Sequence, residues 1–250
     1  MSLSLSGNTH KISYDHGISD IPLMGMTIIE SLRQTVNKYP YAEALFVPYQ
    51  NYRVTYKEFW EEIQRVSKGI LSYGIKKGDR VGIWSPNRFE WVLVQFATAQ
   101  IGAIMVNINP AYKSAELQYA LKQSEVRMLI MSKGFRKTNY IEILKEVRPA
   151  CIYLKHIVVI EHDWQSLIDV GKKITDKQLI AFEQDMQFDE PINIQYTSGT
   201  TGFPKGTTLS HHNILNNGFF VGERLNYTEK DKVCIPFTIA LAWCWPTWHA

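Results

Sequence analysis

Cysteine is scarce in this chain of 250 residues, with only Cys151, Cys234 and Cys244 present. Odd in number and far apart, they form neither a disulfide framework nor a zinc-ligand spacing, which favours a reducing compartment. Long apolar runs are missing as well, and no stretch reaches the length of a transmembrane helix. The opening "MSLSLSGNTHKISYDHG" has no apolar h-region, which excludes a secretory signal, and no arginine, which makes it a poor mitochondrial presequence. Charge of one sign is lacking too. The formal net charge is +3 with no Lys/Arg block, too little to imply a nucleic-acid partner. There is no internal repeat, no low-complexity segment, no G-x-G-x-x-G and no Walker A pattern. His156 and His162 flank a strand-like run and read as structural or exposed.

What is present suits a globular α/β protein. Hydrophobic residues make up 45% of the chain, enough for a sizeable core and one or two domains. Residues 1–22 read as a loosely ordered lead-in. From Thr27 the pattern turns helical, with Thr27 and Glu30 spaced as a capping box. "EALFVPYQNYRVTYKEF" predicts two short strands about Gln50-Asn51. A helix follows, with Thr55 and Glu58 as a second capping box and Phe59, Ile63, Val66, Ile70 and Leu71 on its apolar face. "DRVGIWSPN", "AIMVNINP", "VRMLIMS" and "HIVVIE" read as strands. "RFEWVLVQFATAQIG", stopped by Gly102, and "SAELQYALKQSE" and "TNYIEILKEVRP" read as helices between them; Trp164 to Asp185 is helical or looped. Strands alternate with helices and several are nearly all apolar, which predicts a mostly parallel sheet covered on both faces. Ligands of such sheets bind beyond the carboxyl ends of the strands. The loops there are Ser85–Arg88, Asn109–Tyr112 and a glycine-rich stretch after "INIQYT". Phe89, Trp91 and Phe96 fit a core stripe better than an acyl tunnel. Trp84 and Asn87 fit a pocket wall and ordinary turn residues equally well.

The glycine-rich stretch is "QYTSGTTGFPKGTTLSH", Gln195 to His211. Gly199, Gly202 and Gly206 permit backbone N–H groups to converge on an anion. Thr197, Ser198, Thr200 and Thr201 add hydroxyls, Lys205 adds a positive charge, and Pro204 stiffens the backbone. Phosphate suits this set. A flexible polar hairpin turn is the plainer reading of a Gly/Ser/Thr cluster.

"YTSGTTGFPKGTTLSHHNI" resembles the signature of the AMP-forming adenylate synthetases, which group acyl-CoA synthetases, luciferases and peptide-synthetase adenylation domains. Ser198, Gly199, Thr200, Thr201, Gly202, Pro204, Lys205 and Gly206 match its pattern, and His211 or His212 with Asn213 match the H-x-N that follows a short strand. "DEPINIQYTSGTTG" and "NINPAYKSAELQYALKQSE" look like the fatty acyl-CoA synthetases, in particular the medium-chain family member 2 type. The resemblance covers about Leu23 to Cys234. It implies the N-terminal portion of the adenylate-forming fold. It also implies ATP, Mg²⁺ and CoA as co-reactants of a fatty acid, and an acyl-adenylate on the way to the thioester. The loop from Thr197 to Gly206 would contact the ATP phosphates, and the Thr200 hydroxyl would help hold Mg²⁺. His211 or His212, not separable by sequence, would be a pocket histidine. No catalytic residue is assigned, because the carboxylate is already ionised at neutral pH.

The resemblance also marks departures. Family members continue into a second half with an adenine site, a glutamate for Mg²⁺ and a small C-terminal domain carrying a catalytic lysine. None of these has a counterpart here, so residues 23–237 read as the first part of the large AMP-binding domain. Residues 238–250 are atypical, with Trp243, Trp245 and Trp248 within six positions. Back-translated and read one base earlier, Ile239 to Ala250 becomes family-like text, so a frame-shifted tail is expected. The fragment alone is expected to be inactive. The alternatives are a non-catalytic fragment associated with a full-length synthetase or with chaperones, and the non-functional product of a frame-shifted gene. The family points to mitochondria.

Overall fold

The computed structural model describes residues 20–197 and 204–236. Helix α1 (Ile28–Lys38) and helix α2 (Tyr56–Ser72) both start at the expected capping boxes. Thr27 Oγ1 accepts from Glu30 N at 3.1 Å while Glu30 Oε2 accepts from Thr27 N at 2.6 Å, so two orphan N–H groups are satisfied reciprocally. Thr55 and Glu58 repeat the arrangement. Between the helices, strands β1 (Glu43–Val47) and β2 (Tyr52–Thr55) pair antiparallel around a short 3-10 turn that ends on Asn51 at φ +49°. All five apolar positions read from α2 are buried.

The main body then alternates. Strand β3 (Arg80–Trp84), helix α3 (Phe89–Gln100) and strand β4 (Ile104–Ile108) are followed by helix α4 (Ser114–Gln123) and strand β5 (Met128–Met131). Gly102, at φ +67°, ends α3 in a conformation that side chains rarely adopt. A small hairpin of β6 (Gly134–Phe135) and β7 (Thr138–Asn139) leads into helix α5 (Tyr140–Val147). Strand β8 (His156–Val159) runs directly into helix α6 (Ile160–Gly171), and α7 (Asp176–Gln184) follows. The region read as helical or looped is thus two helices. Strand β9 (Pro191–Thr197), strand β10 (Lys205–Ser210) and helix α8 (His211–Arg224) complete the described order.

The principal sheet has the order β10-β9-β4-β3-β5-β8. Five strands are parallel, and β10 is an antiparallel edge strand on β9. One face carries Val81, Ile83, Met105, Ile130 and Val158 into a core with α2 and α3; the other carries Val106, Ile108 and Leu129 onto α4 and α5. Trp91 and Phe96 lie in the first core, and Phe89 stacks on Tyr52 at 3.9 Å, so the aromatics of α3 pack as a core stripe. Trp84 is fully buried core, while the Asn87 carbonyl accepts from the Tyr49 hydroxyl. His156 is half-buried against Tyr73 and His162 is exposed, as expected.

Helices α2 and α6 touch through two glycines. A Cβ on Gly69 would lie 2.5 Å from the Leu167 carbonyl oxygen, and one on Gly171 would lie 2.6 Å from Gly69 N. Alanine favours an isolated helix over glycine by about 1 kcal/mol. Overpacking costs about 1–3 kcal/mol and acts the other way. Gly69→Ala is therefore expected to lower the urea midpoint. An unchanged or higher midpoint would show that the contact is not tight.

Candidate functional site

The parallel strands all end on one edge of the sheet, at Trp84, Ile108, Met131, Val159 and Thr197. The glycine-rich segment leaves that edge from the end of β9. Thr197 pairs with Lys205 across the β9–β10 ladder, so residues 198–204 join two antiparallel strands. The flanking strands thus fit the hairpin reading, with the connection at the carboxyl edge of the sheet.

Strand β9 is held on both faces just before that segment. Asn107 Nδ2 donates to Gln195 Oε1 at 2.6 Å, a buried cross-strand pair in register between β4 and β9. On the opposite face the Tyr196 hydroxyl lies 2.6 Å from Ser124 Oγ and donates to the Ala120 carbonyl at 3.2 Å. Two successive side chains, each buried and hydrogen-bonded, fix the direction in which the backbone leaves the sheet.

Of the sequence-based candidates, Thr197 is half-buried at the strand end, with its hydroxyl 3.4 Å from the Lys205 carbonyl. Pro204 is half-buried, and Lys205 and Gly206 are exposed. Ser198, Gly199, Thr200, Thr201 and Gly202 lie outside the described residues. Among the described residues, no group of three or more His, Cys, Asp or Glu side chains could hold a metal ion.

The histidines stand elsewhere. They open α8, at the far end of β10 from Lys205, roughly 20 Å away at the rise of a strand. The structure therefore does not bring them together with the glycine-rich segment. It also separates their roles. His211 is fully buried, and its Nδ1 accepts from Ile28 N at 3.2 Å, which pins α8 to the first turn of α1. Its Nε2 has no hydrogen-bond partner. His212 is half-buried, with its ring 5.5 Å from Phe188. Asn213 closes a capping box with Ser210, and Asn216 clamps the backbone of Met24 at 2.8 and 3.1 Å. The H-x-N pattern here starts a helix and fastens it.

A polar network at the same carboxyl edge escaped the sequence reading. Arg88 makes a two-pronged pair with Glu90 at 2.8 and 2.9 Å, and reaches Glu161 at 2.6 Å and Ser132 at 3.2 Å. Ser132 Oγ lies 2.7 Å from Ser85 Oγ, and Glu161 also accepts from Lys133 N at 2.8 Å. The ends of β3, β5 and β8 are tied together by one guanidinium. "SPNR" was legible as an edge loop, but its partner lies 73 positions away.

The family model for AMP-binding enzymes matches residues 32–250. The chain belongs to the AMP-binding enzyme family. It is 37% identical over 251 residues to the mitochondrial medium-chain acyl-CoA ligase ACSF2 of Danio rerio, covering 93% of this chain and 41% of that protein. It is 39% identical over 239 residues to the Homo sapiens protein of the same name, covering 88% and 39%. The chain thus spans about two fifths of the length of these relatives. The N-terminal domain of FACL13 from Mycobacterium tuberculosis superposes with a TM-score of 0.74 at 22% identity, over 87% of this chain and 52% of that one. A long-chain-fatty-acid-CoA ligase of Archaeoglobus fulgidus gives 0.69 at 23%, over 88% and 44%. The α/β fold is that of the N-terminal domain of acyl-CoA synthetases, and the sequence likeness to the acyl-CoA ligases agrees with the family match.

Burial pushes His211 down from 6.5 to about 4, against a smaller upward pull from Glu190 and Glu30. The folded form binds fewer protons than the unfolded one in this range. The stability His211 permits is thus present above pH 6.5 and lost as pH falls from 6.5 through about 4. The loss is on the order of 3 kcal/mol. His211→Gln keeps an acceptor for Ile28 N without the titration. Urea midpoints measured from neutral to mildly acid pH should fall more steeply for the native chain than for this variant; parallel curves would clear His211 of the effect.

Proposed function

We propose that this chain supplies the phosphate-binding part of an AMP-forming acyl-CoA ligase acting on a fatty acid. The observation that carries the reading is the placement of the segment between Thr197 and Lys205. It leaves the carboxyl edge of a parallel sheet, beside the loops after β3, β4 and β5, with Lys205 exposed at its base. Membership of the AMP-binding family and the acyl-CoA ligase relatives support the same assignment.

In this reading a fatty carboxylate, ionised at neutral pH, attacks the α-phosphorus of ATP. The bond to the bridging oxygen breaks and pyrophosphate leaves with the charge. The CoA thiol then displaces AMP from the acyl-adenylate. The hydroxyls of Thr197, Ser198, Thr200 and Thr201, the backbone about Gly199, Gly202 and Gly206, and the Lys205 ammonium neutralise the departing phosphates. Mg²⁺ arrives with the nucleotide, and the Thr200 hydroxyl is its candidate contact on this chain. Chain length of the acid follows the medium-chain relatives, and a mitochondrial address is part of the same proposal.

Lys205→Ala is expected to weaken binding of magnesium pyrophosphate to the chain about tenfold, near 1.4 kcal/mol, by calorimetry. Lys205→Arg, which keeps the charge, should recover part of the loss. If the native chain binds pyrophosphate and Lys205→Ala binds it equally well, the phosphate role of this segment is wrong.

A further inference from the structure

The β9–β10 hairpin meets the parallel sheet along a short ladder. Strand β9 pairs with β4 at Met105–Asn193, Val106–Ile194 and Asn107–Gln195, and the last of these is the rung nearest the carboxyl edge. Tyr196 and Thr197 continue past it, paired with β10 but not with β4. Lys205 pairs with Thr197, two residues beyond the rung. At the rise of a strand, Thr197 stands about 7 Å past Gln195. A tilt of about 10° at the rung therefore moves Thr197 and Lys205 by about 1 Å.

The side chains at this rung break the pattern of the sheet. In register across the strands the row reads Val158, Ile130, Ile83, Asn107 and Gln195. The first three are fully buried apolar core, and the last two are buried amides. Asparagine is depleted in strands. One hydrogen bond of 2.6 Å joins the pair, from Asn107 Nδ2 to Gln195 Oε1. Asn107 Oδ1 is buried without a partner among the described residues. An unmet buried acceptor costs stability, whereas an apolar pair of the same shape is neutral or stabilising. On stability alone, an apolar pair would serve this rung better.

What the amides supply is direction. Hydrophobic attraction is non-directional, so apolar side chains do not fix the angle between two strands. A short amide–amide hydrogen bond fixes both distance and angle. It acts where the hairpin leaves the sheet. Asn107 also lies two positions before Asn109, whose carbonyl accepts from the Trp84 indole at 3.2 Å. One strand end thus sets both the loop after β4 and the hairpin beside it. On the other face, Tyr196 holds the hairpin to Ala120 and Ser124 at the end of α4. Its ring lies in an apolar core, so that contact serves the fold as well.

We infer that Asn107 and Gln195 are positioning residues of the phosphate site, their amide pair setting where Thr197 and Lys205 stand at the carboxyl edge. This rests on the phosphate reading of the glycine-rich segment and adds to it two buried residues that act only through β9. Placement on this scale matters, because a displacement of about 1 Å costs positioned groups up to about 100-fold in what they achieve. A buried polar pair can also serve only to fix strand register. That role is complete once the chain folds and leaves affinity untouched.

The test is calorimetry with magnesium pyrophosphate, beside thermal melting of the same chains. Asn107→Leu with Gln195→Met replaces the amides by apolar side chains of similar size. Its melting temperature should match or exceed that of the native chain, while its affinity falls roughly tenfold. Exchanging the partners, Asn107→Gln with Gln195→Asn, restores an amide pair of the same combined length and should recover most of the loss. Asn107→Ser breaks the hydrogen bond alone and should weaken binding in the same direction, which keeps the test decisive where the apolar pair does not fold. The inference is overturned if a folded apolar or serine variant binds as tightly as the native chain, which assigns the pair to strand register. It is overturned as well if the exchanged pair folds and binds no better than the apolar one. A native chain that binds no magnesium pyrophosphate sinks the phosphate reading itself, and this inference falls with it.

Discussion

Trp84 and Tyr140 lie face to face, ring centroids 3.6 Å apart and planes 10° apart, just beneath the carboxyl edge of the sheet. Both are fully buried, and the loops that build the site hang from them. The indole N–H donates to the Asn109 carbonyl at 3.2 Å, and the phenol donates to the Pro110 carbonyl at 2.5 Å. One aromatic pair therefore holds the loop after β4. It also fixes the end of β3 and the first residue of α5, and so the hairpin that enters α5. Burial raises the Tyr140 pKa, which keeps the phenol a neutral donor across the physiological range. An aromatic contact of this kind contributes about 0.5–1.5 kcal/mol beyond its buried area. Its larger effect is geometric, since two carbonyls of a surface loop acquire fixed partners inside the core.

Much of this architecture was legible because it is local. A capping box needs only two residues three apart, and Thr27/Glu30 and Thr55/Glu58 are both used. Gly102 ends α3 because only a positive φ suits the reversal into β4. The parallel sheet followed from apolar strands alternating with amphipathic helices. What escaped the reading depends on partners remote in sequence. Asn107 meets Gln195 across 88 positions, and Arg88 meets Glu161 across 73. Periodicity says which face is buried but not which polar side chain waits there. The hairpin reading of the glycine-rich segment already implied the antiparallel pairing of β10 with β9, but not that β10 would lie at the edge of the parallel sheet.

The histidines show the same limit at a motif. H-x-N matched a family pattern, and the resemblance suggested a pocket residue. The side chains explain local needs first: Asn213 caps α8, and His211 binds the start of α1. Such contacts join α8 to the N-terminal helix, a junction supported further by Asn216 on Met24. His211 remains neutral there because burial outweighs the two nearby glutamates. His211 and Asn213 thus carry structural duties that composition does not disclose.

The composition of the glycine-rich segment also follows from its setting. Many phosphate loops end at a helix N-terminus, where the macrodipole and free N–H groups supply positive potential. Here strands flank the segment on both sides, and α8 begins only after β10 has run back to the far edge. No helix starts directly from this segment, so it lacks the dipole that such loops draw from a helix of their own. Under the proposed phosphate role, the positive potential would come from turn N–H groups, from hydroxyls and from a full charge. The four Ser/Thr residues from Thr197 to Thr201 and the lysine at the base of the returning strand suit that proposed role. It also predicts unequal sensitivity. With no helix starting from the segment itself, neutralising Lys205 should cost more phosphate affinity than losing any one hydroxyl, since the hydroxyls substitute for one another.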